Sequence, residues 1–121
     1  AVVKALGVKH VRTINPIDLA ETKEAIKWGL SFDEPAVIIT RWPCVLKKLS
    51  ILDNEEFGDY KAVNKVDHDK CIGCRACIRT GCPALSYNKD TKKVTIDRNQ
   101  CVACDVCAQV CPKKAISREV M

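Results

Sequence analysis

The amino-acid sequence predicts an α+β chain in two unlike parts: a partial strand–helix–strand segment, then a duplicated cysteine-rich fold. Three observations carry this reading. Residues 9–40 pass from strand to helix to strand periodicity. Residues 67–118 repeat themselves at an offset of 30. Of the nine cysteines in 121 residues, eight lie inside that repeat.

Length and composition set the outer limits. A chain of 121 residues holds one small domain or two half-sized ones. Its 47% hydrophobic and 29% charged residues are ordinary for a globular protein. No apolar run approaches the roughly 18 residues of a membrane span, and no signal-peptide pattern opens the chain. The reading is therefore of a cytoplasmic protein with no membrane partner. The formal charge of +5 is concentrated in the cysteine-rich part, where residues 67–121 hold ten Lys and Arg against six Asp and Glu. Such an excess fits a fold that must offset anionic thiolate-bound groups of roughly −2 each. Aromatic residues are only 5% and do not interleave with the basic ones, which argues against nucleic acid as partner.

In chain order, Val2–Leu6 reads as the end of a helix stopped by Gly7 at a left-handed position. Lys9–Ile14 has strand character and is closed by Asn15-Pro16. Asp18 with Glu21 predicts a capping box, and Leu19, Thr22, Ile26 and Leu30 recur on one helical face. Ala36–Thr40 is a continuous apolar run of the kind found in parallel strands buried on both sides. One such unit cannot cover its own sheet. The chain also opens within a helix and without Met, so it reads as the C-terminal piece of something longer. Residues 1–50 are assigned to this α/β segment. Residues 51–66, acidic and turn-rich from Asp53 to Tyr60, are read as a linker, and residues 67–121 as the cysteine-rich domain.

Within that domain, Asp67–Cys74 aligns with Asp97–Cys104, and Cys77 with Cys107, at an offset of 30. The fourth cysteines, Cys82 and Cys111, slip to 29 and are each followed by proline. Between the repeats, Ala84–Tyr87 and Lys93–Asp97 flank Asn88-Lys89-Asp90 and predict a β-hairpin.

The first motif is Cys71-x2-Cys74-x2-Cys77-x4-Cys82-Pro83; the second is Cys101-x2-Cys104-x2-Cys107-x3-Cys111-Pro112. Three cysteines two residues apart let one tight loop aim three sulfurs and several N–H groups at one cubane. In the bacterial two-cluster run the fourth cysteine ligates the other cluster, a general rule for this motif. Applied here, Cys71, Cys74, Cys77 and Cys111 hold one [4Fe–4S] cluster, and Cys101, Cys104, Cys107 and Cys82 hold the other. Zinc is the competing metal, but structural zinc prefers paired C-x-x-C units across a longer loop. Disulfides suit neither the odd count nor the missing signal peptide. All eight ligands are thiolates, which favours low potentials over the Rieske range. Gly73, Ala76, Ala103 and Ala108 permit close backbone approach, while Ile72, Ile78, Val102, Val106, Val110 and Ile116 are expected to exclude water.

Other candidates are weaker. Cys44, alone after Arg41-Trp42-Pro43, reads as a buried structural thiol. His68 is read as a solvated turn residue, since Arg98 takes its place in the second repeat. His10 has no catalytic neighbour in the sequence, and Trp28 and Trp42 are assigned to packing. No catalytic triad, P-loop or dinucleotide-binding turn is present, so no catalytic residue is assigned.

Residues 71–118 resemble a two-cluster bacterial ferredoxin domain. Together with Gly7–Val11, Asn15-Pro16, Pro35–Cys44 and the T-G-C-P-A run within Cys77–Ala84, the chain is similar to the C-terminal part of the alpha subunit of indolepyruvate:ferredoxin oxidoreductase. The x4 spacing before Cys82 favours that family over a free ferredoxin. The resemblance implies that residues 1–50 end a thiamine-diphosphate-type domain. It also implies oxidative decarboxylation of an aryl 2-oxoacid, with electrons passing through the clusters to an external ferredoxin, and a beta subunit as partner. Thiamine diphosphate and magnesium belong to the parent only, since the family's G-D-G motif has no counterpart here. A stand-alone ferredoxin, or a subunit of another 2-oxoacid oxidoreductase or redox complex, is the alternative.

Overall fold

The structure, a computed structural model, describes residues 1–44, 50–57 and 62–120. The chain divides into two compact units, residues 1–43 and 44–121.

The first unit starts with α1 (Val2–Ala5), which ends as the sequence predicts: Gly7 sits at φ +88°. The Gly7 N–H donates to the Lys4 carbonyl and the Val8 N–H to that of Val3, a Schellman closure. Then β1 (His10–Ile14) pairs in parallel with β2 (Ala36–Thr40), His10 opposite Ala36 and Ile14 opposite Thr40. Between them lies α2 (Leu19–Gly29), whose N-terminus is capped by the Asp18 carboxylate accepting from the N–H groups of Ala20 and Glu21.

Three details depart from expectation. Glu21 does not complete a reciprocal capping box; its carboxylate accepts from the Asn15 N–H instead, at 3.0 Å. The chain turns at Asn15, where the Asn15 carbonyl also holds the Asp18 N–H, so that donor is already satisfied. The packed face of α2 centres on fully buried Ala25, leaving Leu30 81% and Ile26 49% exposed. Finally, β2 is only half-buried, with Ile39 and Thr40 exposed, because one helix covers one side of a two-stranded sheet. Trp28 meets Phe32 edge-on and His10 stacks on the same ring, while Trp42 is half-buried. Cys44 is exposed rather than buried, in an irregular stretch beyond β2 where none of the described elements covers it.

In the second unit the expected linker holds regular structure. Its first part is a helix, α3 (Ile51–Phe57). The helix begins at a true capping box: the Asp53 N–H donates to Ser50 Oγ, and the Asp53 carboxylate accepts from the Ser50 N–H. Residues 58–61 lie outside the described residues. Its last part is β3 (Ala62–Val66), which pairs antiparallel with β6 (Ile116–Val120). The pairing places Ala62, Val63 and Asn64 in the core. Long-range pairing, invisible to local pattern, decides this segment.

The predicted hairpin is present as β4 (Leu85–Asn88) and β5 (Lys93–Ile96). Its turn is set by the Asn88 side chain accepting from the N–H groups of Asp90 and Thr91. The repeat is also a repeat of hydrogen bonds. The Asp67 N–H donates to the Ala115 carbonyl at 2.7 Å, and the Asp97 N–H to the Ala84 carbonyl at 2.8 Å. Each aspartate then closes a turn before its cysteine triplet, bonding the N–H of Asp69 or Asn99. The core between the two halves is small. Val94 is fully buried in it, with Cys71, Cys77, Cys107, Ala115 and Ile116 beside it, and Val63 is fully buried on β3.

Candidate metal centre

The cysteine triplets are shaped by left-handed backbone. Gly73 and Arg75 lie at φ +67° and +59°, and their repeat partners Ala103 and Asp105 at +48° and +60°. A left-handed residue on each side of Cys74 and of Cys104 curls the loop, so that alternate residues turn their side chains to one side. Such positions cost a non-glycine residue on the order of 1–2 kcal/mol, and surrounding contacts hold them. Arg118 on β6 donates to the Ala103 carbonyl at 2.7 Å and pairs with the Asp105 carboxylate at 2.8 Å. In the first repeat the anchor is Lys93 on β5, whose ammonium donates to the carbonyls of His68 and Cys71.

The fourth cysteines arrive differently. After Cys107 the short helix α4 (Val106–Gln109) carries the chain to Cys111. After Cys77 a 3-10 turn, Ile78–Thr80, does the same, and the extra residue of the x4 spacing is absorbed by Gly81 at φ +72°. The T-G-C-P-A signature thus has a geometric meaning: a left-handed glycine takes up the insertion.

This construction brings the predicted residues together across the repeats. Cys71, Cys74 and Cys77 line one small cavity with Cys111. Its remaining lining is chiefly apolar, including Val66, Val94, Ala115 and Ile116. Burial raises the Cys77 thiol pKa, and the neighbouring sulfurs of Cys111 and Cys74 add to the shift. Around the other set, burial pushes the Cys107 thiol up to about 11; the Asn64 amide opposes the shift, and Cys104, Cys101 and Cys82 reinforce it. Each set draws three cysteines from one motif and the fourth from the other.

Donors point at the sulfurs. The Ala115 N–H reaches Cys111 Sγ at 3.3 Å, and the Asn64 N–H reaches Cys101 Sγ at 3.2 Å. Asn64 Nδ2 lies 3.7 Å from Cys107 Sγ, within range for the larger sulfur. Among the described residues, no three His, Cys, Asp or Glu side chains close around a single ion. Four cysteines instead share the lining of one cavity, and an all-thiolate donor set of four is the one that iron–sulfur clusters use.

Asn64, Lys93 and Arg118 escape the motif, because each comes from a strand rather than from a cysteine loop. The only sequence signal for them is strand periodicity beside the repeat. His68 is exposed in its turn, as expected, and its Nε2 lies 3.1 Å from the Val94 carbonyl. Ile72 is 60% exposed and screens the cavity only at its rim, whereas Ile116 is buried. Among the described residues no helix is long and apolar enough to cross a membrane.

Comparison with known proteins agrees with this geometry. Residues 70–115 match the family model of the 4Fe-4S dicluster domain. Over 97% of its length the chain is 36% identical to the indolepyruvate oxidoreductase subunit IorA of Pyrococcus horikoshii, and over 92% it is 38% identical to that of Thermococcus kodakarensis. It spans only 18% and 17% of those curated relatives. Over 45% of its length it is 43% identical to the pyruvate synthase subunit PorD of Methanothermobacter marburgensis, covering 62% of that protein. Extended likeness along both units, joined to the dicluster match over the cysteine repeat, leads to one conclusion: the homologues of this chain are IorA subunits of indolepyruvate oxidoreductases, and the chain carries a 4Fe-4S dicluster domain.

Proposed function

We propose that this chain carries electrons through two [4Fe–4S] clusters, one on Cys71, Cys74, Cys77 and Cys111, the other on Cys82, Cys101, Cys104 and Cys107. The observation that supports it most is the convergence of four cysteines from both repeats on one apolar cavity. When bound, such clusters accept and release single electrons at potentials set by charge, hydrogen bonds and solvent exposure. The protein's part is to hold the thiolates, aim N–H donors at them and exclude water. Nothing in this role asks for a general acid or base.

The names of the relatives extend the reading. The electrons come from oxidation of a 2-oxoacid, an aryl one such as indolepyruvate, at a thiamine-diphosphate centre with magnesium elsewhere in the assembly. They leave to an external ferredoxin. A beta subunit completes the complex, and residues 1–50 are the end of a thiamine-diphosphate-type domain. The setting is the reducing cytoplasm of an anaerobe, where eight free thiols survive.

The test is iron and acid-labile sulfide per chain, on protein purified without oxygen, with an EPR spectrum after dithionite. About eight of each, with the spectrum of two interacting reduced clusters, is the expected result. Zinc without sulfide would overturn it.

A further inference from the structure

We infer that Asn64 splits the potentials of the two clusters, making the one held by Cys82, Cys101, Cys104 and Cys107 the site where the first electron settles. This rests on the electron-transfer reading above and adds a direction to it.

The repeat supplies an internal control. Asn64 on β3 and Val94 on β5 stand at the same offset of 30 as the cysteines, three residues before Asp67 and Asp97. Both side chains are buried, at 2% and 1% exposure. Val94 presents methyl groups to the cavity of Cys71, Cys74, Cys77 and Cys111. Asn64 presents an amide to the other set, 3.7 Å from Cys107 Sγ, while its backbone N–H meets Cys101 Sγ. The two sites therefore differ at this position by one side-chain donor.

Reduction adds negative charge that spreads onto the sulfurs. A fixed N–H dipole in a poorly screened site stabilises that charge more than a methyl group does. Charges near the first set act the other way, but Arg75 and Lys113 are exposed and screened. The Lys93 ammonium on the Cys71 carbonyl is matched at the other set by the Arg118 guanidinium on the Ala103 carbonyl. The amide is also kept at a cost. Among the described residues Asn64 Oδ1 is buried with no partner, a penalty that valine would remove. A core position that retains a half-satisfied amide, where its repeat partner is valine, points to use of the donor.

The test is Asn64→Val in the full chain, loaded and handled without oxygen, with the half-reduced protein observed by NMR of the cysteine β-protons. Contact-shifted signals of Cys101 and Cys107 report which cluster holds the electron. In the wild-type chain the electron is expected mainly on their cluster. The variant should move the distribution about tenfold toward the other, equivalent to about 59 mV for a one-electron couple. The swap Asn64→Val with Val94→Asn should reverse the preference. An unchanged distribution in a variant that retains full iron and sulfide would overturn the inference and leave the electron-transfer reading intact. Absence of sulfide from the wild-type chain would instead sink that reading and this inference with it. Should Asn64→Val fail to load, Asn64→Leu, close to isosteric, uncharged and without the donor, carries the same comparison.

Discussion

Arg118 reaches across from β6 to Asp105, 2.8 Å from its carboxylate, and the same guanidinium nitrogen holds the carbonyl of Ala103 at 2.7 Å. Both partners are left-handed residues flanking Cys104. The contact therefore holds the curvature of a cysteine loop from a strand that contains no cysteine. Removing it leaves two costly backbone conformations without support, and among the described residues the other Asp105 oxygen is already buried and unpartnered. Arg118→Ala should destabilise the chain by about 2 kcal/mol in denaturant titration. It should also hasten iron loss to a chelator.

Gly73 and Gly81 both occupy left-handed backbone, yet they should respond differently to alanine. A Cβ at Gly73 would run into the Lys92 backbone carbonyl, which cannot yield as a side chain does, whereas one at Gly81 meets nothing within 4 Å. Gly81→Ala should cost about 1 kcal/mol, the price of the dihedral alone. Gly73→Ala should cost several times that, on the order of 3 kcal/mol or more. Equal losses of stability in thermal melts would contradict this account.

Cross-ligation between the motifs predicts a pattern of double mutants. Cys111→Ser and Cys71→Ser lie on one cavity, so combining them should add little to the damage of either, with about four irons remaining. Combining Cys111→Ser with Cys101→Ser should remove both clusters. Iron and sulfide analysis of the anaerobic variants distinguishes this from ligation within each motif, for which Cys111 and Cys101 would be the pair that fails to add.

A pH dependence attaches to the turn before Cys71. The hydrogen bond from Lys70 holds the Asp67 carboxyl below its ordinary 3.8, and Asp67 in turn raises the Lys70 ammonium above its ordinary 10.5. A depressed carboxyl stabilises the fold above 3.8 and loses that contribution as pH falls further; a raised ammonium contributes below 10.5 and loses it above. Lys70→Met should therefore be less stable than the wild-type chain at pH 7 by a small margin, as befits an exposed pair. Below pH 3 the two melting curves should converge.

Much of this molecule can be read from local pattern. The hairpin of β4 and β5, the helix closure at Gly7 and the parallel partners His10–Ile14 and Ala36–Thr40 follow from turn residues and periodicity. The segment Ser50–Val66 cannot be read that way. Its acidic, turn-like composition hides a capping box at Ser50, and the strand character of Ala62–Val66 becomes decisive only once Ile116–Val120 lies beside it.

The sequence alone determined the repeat and the two cysteine triplets, because sulfur spacing is a short-range property that the chain carries wherever it folds. Tertiary structure decided what those sulfurs feel. Asn64, Lys93 and Arg118 reach the cysteine loops only through sheet pairing between segments 22 to 43 residues away from what they touch, or 15 in the case of Arg118. Hydrogen bonds of that span depend on register, and register is settled by burial of Val63 on one strand and Val94 on another, which no local motif records.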